Sequence, residues 1–234
     1  RLVLNPIRID TTLFDPSRAD GPAVRRRLGL PDDDKVVLFV GRLERDKLAD
    51  LVFDAMPRVL RAHPDARLVV VGDGSQRADL ERRAREGGFA DRVRFEGFQD
   101  NEALAGFYAA ADVVCIPVSG FVVFEAAAMA RPIVALDVDW QAEFVEDGVT
   151  GRLVPERDPD RLADGIAGLL SAPSEAARLG RGARQRFLER YEPGTLERRE
   201  ADLLEGFFAG LDGAAGARPS DGRETSAAEG GPPA

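Results

Sequence analysis

A strand, helix and strand pattern in the middle of the chain constrains its fold more than any other feature. A short β-branched run, Val113–Ile116, precedes apolar residues at helical spacing around Glu125, and a second apolar run, Pro132–Leu136, follows. This order is typical of a parallel βαβ unit. Since parallel α/β sheets bind ligands at the carboxyl ends of their strands, we expect the loops at 118–120 and 137–140 to face one crevice.

Strand and helix patterns alternate along the rest of the chain. Apolar runs at Lys35–Val40, Arg67–Val71 and Val93–Glu96 predict strands, and a helical pattern follows each of them. The alternation predicts an α/β fold, a doubly wound parallel sheet of the Rossmann-like kind with helices on both faces.

The ends of the chain differ in composition from its middle. Residues 1–16 read as a short strand and an irregular connection, and residues 17–209 as the α/β domain. Residues 210–234 are rich in Gly, Ala, Ser and Pro, with almost nothing to bury, which predicts a disordered tail. The chain opens on Arg1 and is strand-like at once, so we expect it to be the later part of a longer protein.

Composition excludes several classes of function. The net charge of -9 argues against a nucleic-acid partner, because Lys and Arg supply that binding. No apolar run approaches the roughly 20 residues that span a bilayer, and no signal peptide opens the chain, so we expect a cytoplasmic protein. One cysteine, Cys115, and one histidine, His63, do not suffice for a zinc site or for a Ser/His/Asp or Cys/His catalytic set.

The loop after the Lys35–Val40 strand combines a glycine with cations. Gly41 permits close backbone approach, and Arg42 and Lys47 stand near the start of the next helix, where anions are favoured. The only lysines are Lys35 and Lys47, so a lysine retained here is informative. The loop fits a diphosphate; the alternative is a solvated loop whose charges pair among themselves.

Three further motifs follow later strands. Gly72-Asp73-Gly74 resembles half of a dinucleotide fingerprint, with Arg77 in place of a third glycine, or is simply a tight turn. Ser119-Gly120 and Glu125 suit a phosphate and sugar hydroxyls, unless Glu125 is solvated. Asp137-Val138-Asp139 has the form of a metal-binding pair of carboxylates.

Taken together and in this order, the motifs resemble the C-terminal, donor-binding domain of glycosyltransferase family 4, retaining enzymes of the GT-B fold. The resemblance covers most of residues 3–208. Its segments are the interdomain connection (5–16), the GRL…K diphosphate clamp (41–47), the GDG…R turn (72–77), the base-contacting loop (93–98), the EAMA.G.PVVA signature (124–135) and the E…DG.TG.LV segment (143–155).

The resemblance implies a role in carbohydrate biosynthesis. The chain would be the C-terminal half of a GT-B enzyme that transfers a hexose from a UDP- or GDP-linked sugar to an unidentified glycan, lipid or small molecule. It implies no cofactor and no metal, since 137–140 aligns with a GT-B loop. An N-terminal GT-B domain would be the partner, and through it the protein would be peripheral to the inner face of the membrane.

The same resemblance implies the roles of site residues. Arg42 and Lys47 would neutralise the leaving diphosphate as catalytic groups, Glu125 would hold the ribose and Phe98 the base. The full set of donor-binding positions is Gly41, Gly72, Gly97, Phe98, Ser119, Gly120, Phe121, Glu125, Asp139 and Trp140.

Departures from the family pattern leave alternatives open. Pro117 stands where the family has the first of two glutamates, which contacts the donor sugar, and Leu48, Arg131 and Asp139-Trp140 replace glycines. We expect Trp140 or Asp139 to supply the lost contacts. The alternatives are a non-catalytic nucleotide-sugar-binding or scaffolding domain and a GT-B-like epimerase, which the scarcity of histidine disfavours.

Overall fold

A computed structural model describes residues 9–118, 120–138, 140–155 and 157–215, with side chains described up to residue 205. The strand predicted at the start of the chain falls among residues 1–8 and lies outside the described residues, as do Ser119 and Asp139.

Within the described residues, the fold is a parallel sheet with helices on both faces, as the alternating pattern predicts. The strands are β1 (Lys35–Val40), β2 (Ala66–Val71), β3 (Val93–Gly97), β4 (Val113–Ile116), β5 (Ile133–Leu136) and β6 (Arg152–Val154). The helices are α1 (Gly21–Arg27), α2 (Ala49–Ala62), α3 (Arg77–Glu86), α4 (Asn101–Ala110), α5 (Val122–Ala128), α6 (Gln141–Phe144), α7 (Pro159–Ser171), α8 (Pro173–Arg190) and α9 (Pro193–Ala215).

The strands are apolar on both faces because the sheet lies between two layers of helices. Side chains of β1 alternate between the layers: Val37 and Phe39 pack with α2, α3 and α7. Val36 and Leu38 point the other way and pack with α4, α5 and α6. Cys115, in β4, is buried as a free thiol in the first of these layers, where it packs as a small apolar side chain.

The strand order, β3-β2-β1-β4-β5-β6, positions the site. After β3 the chain returns to the other side of β1, so β1 pairs in parallel with both β2 and β4. The connections that follow β1 and β4 diverge at this point, which opens a crevice beyond the carboxyl ends of the two strands.

Helix α9 extends further than the sequence predicts. It continues past residue 209, the predicted end of the α/β domain, to Ala215, so residues 210–215 are helical although composition indicates disorder there. Adding residues to an existing helix requires no new nucleation, which explains how a segment with little to bury stays helical.

By its contacts the chain divides into a unit ending at Leu196 and a second unit beginning at Glu197. In the described part of the chain, no helix is both long and apolar enough to cross a membrane.

Two glycines in neighbouring helices provide a test of the packing. A Cβ added to Gly180, in α8, would lie 2.2 Å from the carbonyl oxygen of Ala130, whereas a Cβ on Gly168, in α7, would meet nothing within 4 Å. We expect Gly180→Ala to lower the free energy of unfolding by about 1–3 kcal/mol through overpacking. Gly168→Ala should raise it by about 0.5–1 kcal/mol through helix propensity.

Urea unfolding of the two variants measures both effects. Because the substitution is the same and both residues are helical, helix propensity cancels in the comparison. Equal shifts of the two unfolding midpoints would contradict the close approach of α8 to Ala130.

Candidate functional site

A cavity of about 510 Å³ opens at the carboxyl ends of β1 and β4, at the point where the strand order reverses. The loops at 118–120 and 137–140 both contribute to it through Val118, Gly120 and Trp140, as the sequence predicts. The predicted site residues that line the cavity are Gly41, Arg42, Lys47, Gly120, Phe121, Glu125 and Trp140.

Of the predicted site residues that the structure describes, three do not line this cavity. Gly72 follows β2, while Gly97 ends β3 and Phe98 comes next. The Phe98 side chain is 85% exposed, so it is available to a ligand that extends beyond the cavity.

Gly72 and Gly97 hold the loops of the site together. The Gly41 N–H donates to Val71 O at 3.0 Å, and the Leu43 N–H donates to Asp73 O at 2.9 Å. A Cβ on Gly72 would lie 1.9 Å from Gly41 O, and the φ of +135° at Gly72 further favours glycine. The Gly72 N–H donates to Gly97 O at 2.7 Å, which links the third loop. Gly72 is therefore required by the close approach of the Gly41 backbone, whereas Gly97 is favoured by its φ of +65°, since an added Cβ there would meet only Arg77 Nη1 at 3.9 Å.

A carboxylate adds a second link between two of these loops. Glu44 accepts hydrogen bonds from the Ser75 backbone N–H at 2.9 Å and from Ser75 Oγ at 2.5 Å. These bonds hold the pKa of Glu44 below its usual value. Glu44 is therefore bound to the loop after β2. The carboxylate that pairs with Arg42 and Lys47 is that of Asp46.

Arg42 and Lys47 share that single carboxylate. Arg42 Nη2 lies 3.3 Å and Lys47 Nζ 3.9 Å from Asp46 Oδ2. The side chains of Arg42 and Asp46 are 69% and 59% exposed, and exposed pairs of this kind contribute about 0–1 kcal/mol. The self-paired loop that sequence allows is thus present, but it is weak enough for an arriving anion to displace.

Leu48 shapes the turn that presents Lys47. It follows the 3₁₀ turn Arg45–Lys47 and has φ 52° and ψ 35°, the left-handed conformation that favours glycine. Its partly buried side chain packs against the core beneath α2, which offsets the backbone strain. Glycine, which the family resemblance expects at this position, adopts the same conformation without strain.

Glu125 is not the solvated residue that sequence leaves open. It is partly buried, lines the cavity, and accepts a hydrogen bond from the Tyr108 hydroxyl at 2.7 Å. Burial raises the pKa of Glu125 above its usual value, and the bond from Tyr108 opposes that rise. Tyr108 is fully buried, and burial raises the pKa of its hydroxyl well above the usual value.

Trp140 forms a supported aromatic wall of the cavity. Its ring stacks on Phe124 with centroids 5.5 Å apart and planes at 15°. Phe124 is itself buried and contacts Phe144 and Tyr191 at centroid distances of 5.2 and 4.8 Å. The cluster restricts the Trp140 ring, so this wall is preformed.

Other residues of the site are missing from the sequence-based prediction. Gln141, fully buried, donates from Nε2 to Pro117 O at 3.1 Å and to Leu136 O at 3.0 Å, which joins the loops after β4 and β5. Nothing in a single sequence marks such a glutamine. Phe39 and Val40 also line the cavity. Their position at the end of a predicted strand could have identified them from the sequence.

Comparisons with known proteins identify the family of the chain. A family model described as "Glycosyl transferases group 1" matches residues 20–186. D-inositol 3-phosphate glycosyltransferase 2 of Catenulispora acidiphila is 39% identical over 188 residues, which cover 75% of this chain and 44% of that protein. Alpha-D-kanosaminyltransferase of Streptomyces kanamyceticus is 34% identical over 164 residues, which cover 68% of this chain and 42% of that protein.

A solved structure adds the fold. HepE of Anabaena, in complex with UDP and glucose, matches with a TM-score of 0.76 and 25% identity over 85% of this chain and 55% of that chain. The chain spans less than half the length of the two curated relatives. On the match of the family model to most of its length, the chain belongs to the glycosyl transferases group 1 family.

Proposed function

We propose that this chain is the donor-binding domain of a retaining glycosyltransferase that transfers a hexose from a UDP- or GDP-linked sugar to an acceptor. The observation that carries the proposal is the meeting of two cations, Arg42 and Lys47, with Glu125 in one cavity. Its volume of about 510 Å³ lies within the range of about 300–1,000 Å³ typical of small-molecule sites. The UDP and glucose bound by the similar HepE structure support a nucleotide-sugar donor.

Arg42 and Lys47 would stabilise the leaving group. When the bond to the sugar breaks, negative charge develops on the diphosphate, and preorganised cations stabilise such charge in the transition state. Both cations follow the carboxyl end of β1, and Asp46 is their weak partner. When a diphosphate replaces that carboxylate, Arg42 and Lys47 both still have a negatively charged partner.

The nucleoside would extend away from these cations. Glu125 would accept hydrogen bonds from ribose hydroxyls, and the exposed ring of Phe98 would contact the base. Stacking of a base on an aromatic ring is worth about 1–3 kcal/mol. The backbone around Gly120 and Phe121 would contact the phosphates, and Ser119 and Asp139 remain proposed donor contacts.

The sugar would contact Trp140. Pro117 lines the cavity at the position where the family's first glutamate is expected, so this position offers no carboxylate to the sugar hydroxyls. Trp140 lines the same cavity and presents an apolar ring, suited to the C–H face of a hexose. We infer that contact with the ring replaces part of the lost hydrogen bonding.

Pro117 also favours a second candidate function. A nucleotide-sugar-binding domain without catalytic activity needs the diphosphate and ribose contacts but no carboxylate at the sugar. Under this alternative, the sugar adds nothing to the affinity of the nucleotide. The two functions therefore differ in a measurable binding energy.

The two lysines provide a matched pair for testing the diphosphate contact. Lys47 lines the cavity after the carboxyl end of β1, whereas Lys35 begins that strand at its opposite end. A nucleoside diphosphate at about a hundred times its dissociation constant adds about 2.7 kcal/mol to stability, a rise in Tm of about 5–10 °C. We expect Lys47→Ala to lose most of this rise and Lys35→Ala to retain it.

Thermal melting with UDP, GDP and ADP measures the effect and identifies the base. Loss of a charge-assisted hydrogen bond typically costs about 1.5–3 kcal/mol, which sets the expected size of the Lys47→Ala defect. An unchanged response of Lys47→Ala, with the wild-type protein responding, would remove Lys47 from the site.

Trp140 can be tested by comparing a nucleotide with its sugar conjugate. We expect the wild-type chain to bind UDP-glucose more tightly than UDP, and Trp140→Ala to lose this difference while Trp140→Phe keeps part of it. Calorimetric titration of the three proteins with the two ligands gives the six affinities. If the wild-type protein binds the two ligands equally, the non-catalytic candidate is favoured.

Turnover by the isolated chain provides a further test. Because the chain covers less than half the length of its relatives, we expect it to bind the donor and to transfer sugar at a negligible rate. An assay that follows release of UDP from UDP-glucose measures both transfer and hydrolysis. Turnover at an ordinary enzymatic rate, about 1–10³ s⁻¹, would show that residues 1–234 hold a complete active site.

A further inference from the structure

The carboxylate of Glu125 receives a hydrogen bond from the helix on the neighbouring connection. Tyr108 lies in α4, before β4, and Glu125 lies in α5, after it. The Tyr108 hydroxyl donates to Glu125 Oε2 at 2.7 Å. The tyrosine side chain is 0% exposed, so its hydroxyl has no access to water and needs a protein acceptor.

We propose that Tyr108 is a positioning residue, whose hydroxyl occupies one carboxylate oxygen of Glu125 and directs the other toward the hydroxyls of the bound nucleotide. This inference rests on the proposed function, in which Glu125 contacts the ribose. Among the described residues, no hydrogen-bond donor is assigned to Glu125 Oε1, and the Glu125 side chain lines the cavity.

The surroundings of Tyr108 limit its movement. Its ring meets Phe14 edge to face at a centroid distance of 6.1 Å, and both side chains belong to the buried layer beneath α4 and α5. The hydroxyl is therefore held by packing, and the more accessible carboxylate adapts to it. A glutamate side chain has three rotatable bonds, and a fixed donor on one oxygen restricts the last of them.

The hydrogen bond from Tyr108 also favours the charged form of Glu125. The helix around Glu125 is otherwise apolar, with Val122, Val123, Phe124 and three alanines. A partly buried carboxylate remains ionised more readily when it accepts a hydrogen bond, and the ionised form acts purely as an acceptor at both oxygens. Tyr108 therefore favours the form of Glu125 that accepts from ribose hydroxyls.

The test compares two nucleotides that differ only in the ribose hydroxyls, UDP and 2′,3′-dideoxy-UDP, by calorimetric titration of the full 234-residue chain. We expect the wild-type chain to prefer UDP by about tenfold or more. Tyr108→Phe should weaken UDP binding about tenfold, which is about 1.4 kcal/mol, and leave dideoxy-UDP binding within about twofold. A purely structural role for Tyr108 would not change this ratio.

Two controls accompany the variant. Tyr108→Phe keeps the ring and its contact with Phe14, so the fold is expected to persist. Tyr191→Phe changes the only other tyrosine of the chain, which packs on Phe124, and should leave both affinities unchanged. Glu125→Gln should weaken UDP binding by itself, and Tyr108→Phe added to it should cause no further loss, because the two residues act through one interaction.

The outcomes separate the two proposals. If the wild-type chain prefers UDP and Tyr108→Phe keeps that preference, or weakens both nucleotides equally, the positioning role is overturned and the proposed function stands. If the wild-type chain binds UDP and dideoxy-UDP equally, Glu125 does not hold the ribose and both the role of Tyr108 and that part of the proposed function fall. If UDP does not bind at all, the proposed function itself is refuted for this nucleotide.

Discussion

The parallel pairing of β1 with both β2 and β4 is the constraint on which the rest of the structure depends. Parallel neighbours require crossover connections, which cover the faces of the sheet with helices and return every loop after a strand to the same edge. At β1 the chain proceeds to β2 on one side and later returns to β4 on the other, so the loops separate there. The cavity lies between the separated loops. Beside it, the backbone of Gly72 packs directly against that of Gly41.

The two sides of the cavity use charge in different ways. Arg42 is exposed and weakly paired, so exchange of its partner Asp46 for a phosphate requires little desolvation. Glu125 is partly buried among apolar side chains and hydrogen-bonded by Tyr108, so its direction is specified and its affinity for hydroxyl donors depends on geometry. This division suits a ligand with a strongly charged centre and a directional polar group beside it.

Membership of a family establishes the scaffold, whereas the substrate depends on a few positions where this chain departs from the family pattern. Pro117 and Trp140 give an apolar character to the wall where the resemblance expects a glutamate and a glycine. Trp140 stacks on the buried ring of Phe124, and the buried Gln141 donates a hydrogen bond to Pro117 O. Buried neighbours therefore support the altered wall. Leu48 is a departure of another kind, since its side chain packs against the core at a backbone conformation that suits glycine.

The sequence by itself determined the α/β class, the approximate bounds of β1 to β5 and the cation loop, because these depend on local periodicity and on residues a few positions apart. Gly41, Arg42 and Lys47 fall within one turn-sized segment, so their proximity needs no knowledge of the fold. Only the tertiary structure decided how Glu125 is held, since Tyr108 lies 17 residues earlier on a different helix. The same holds for Gln141, whose hydrogen bond spans 24 residues. Such contacts depend on the relative placement of packed helices and strands, which side-chain patterns along a single chain do not encode locally.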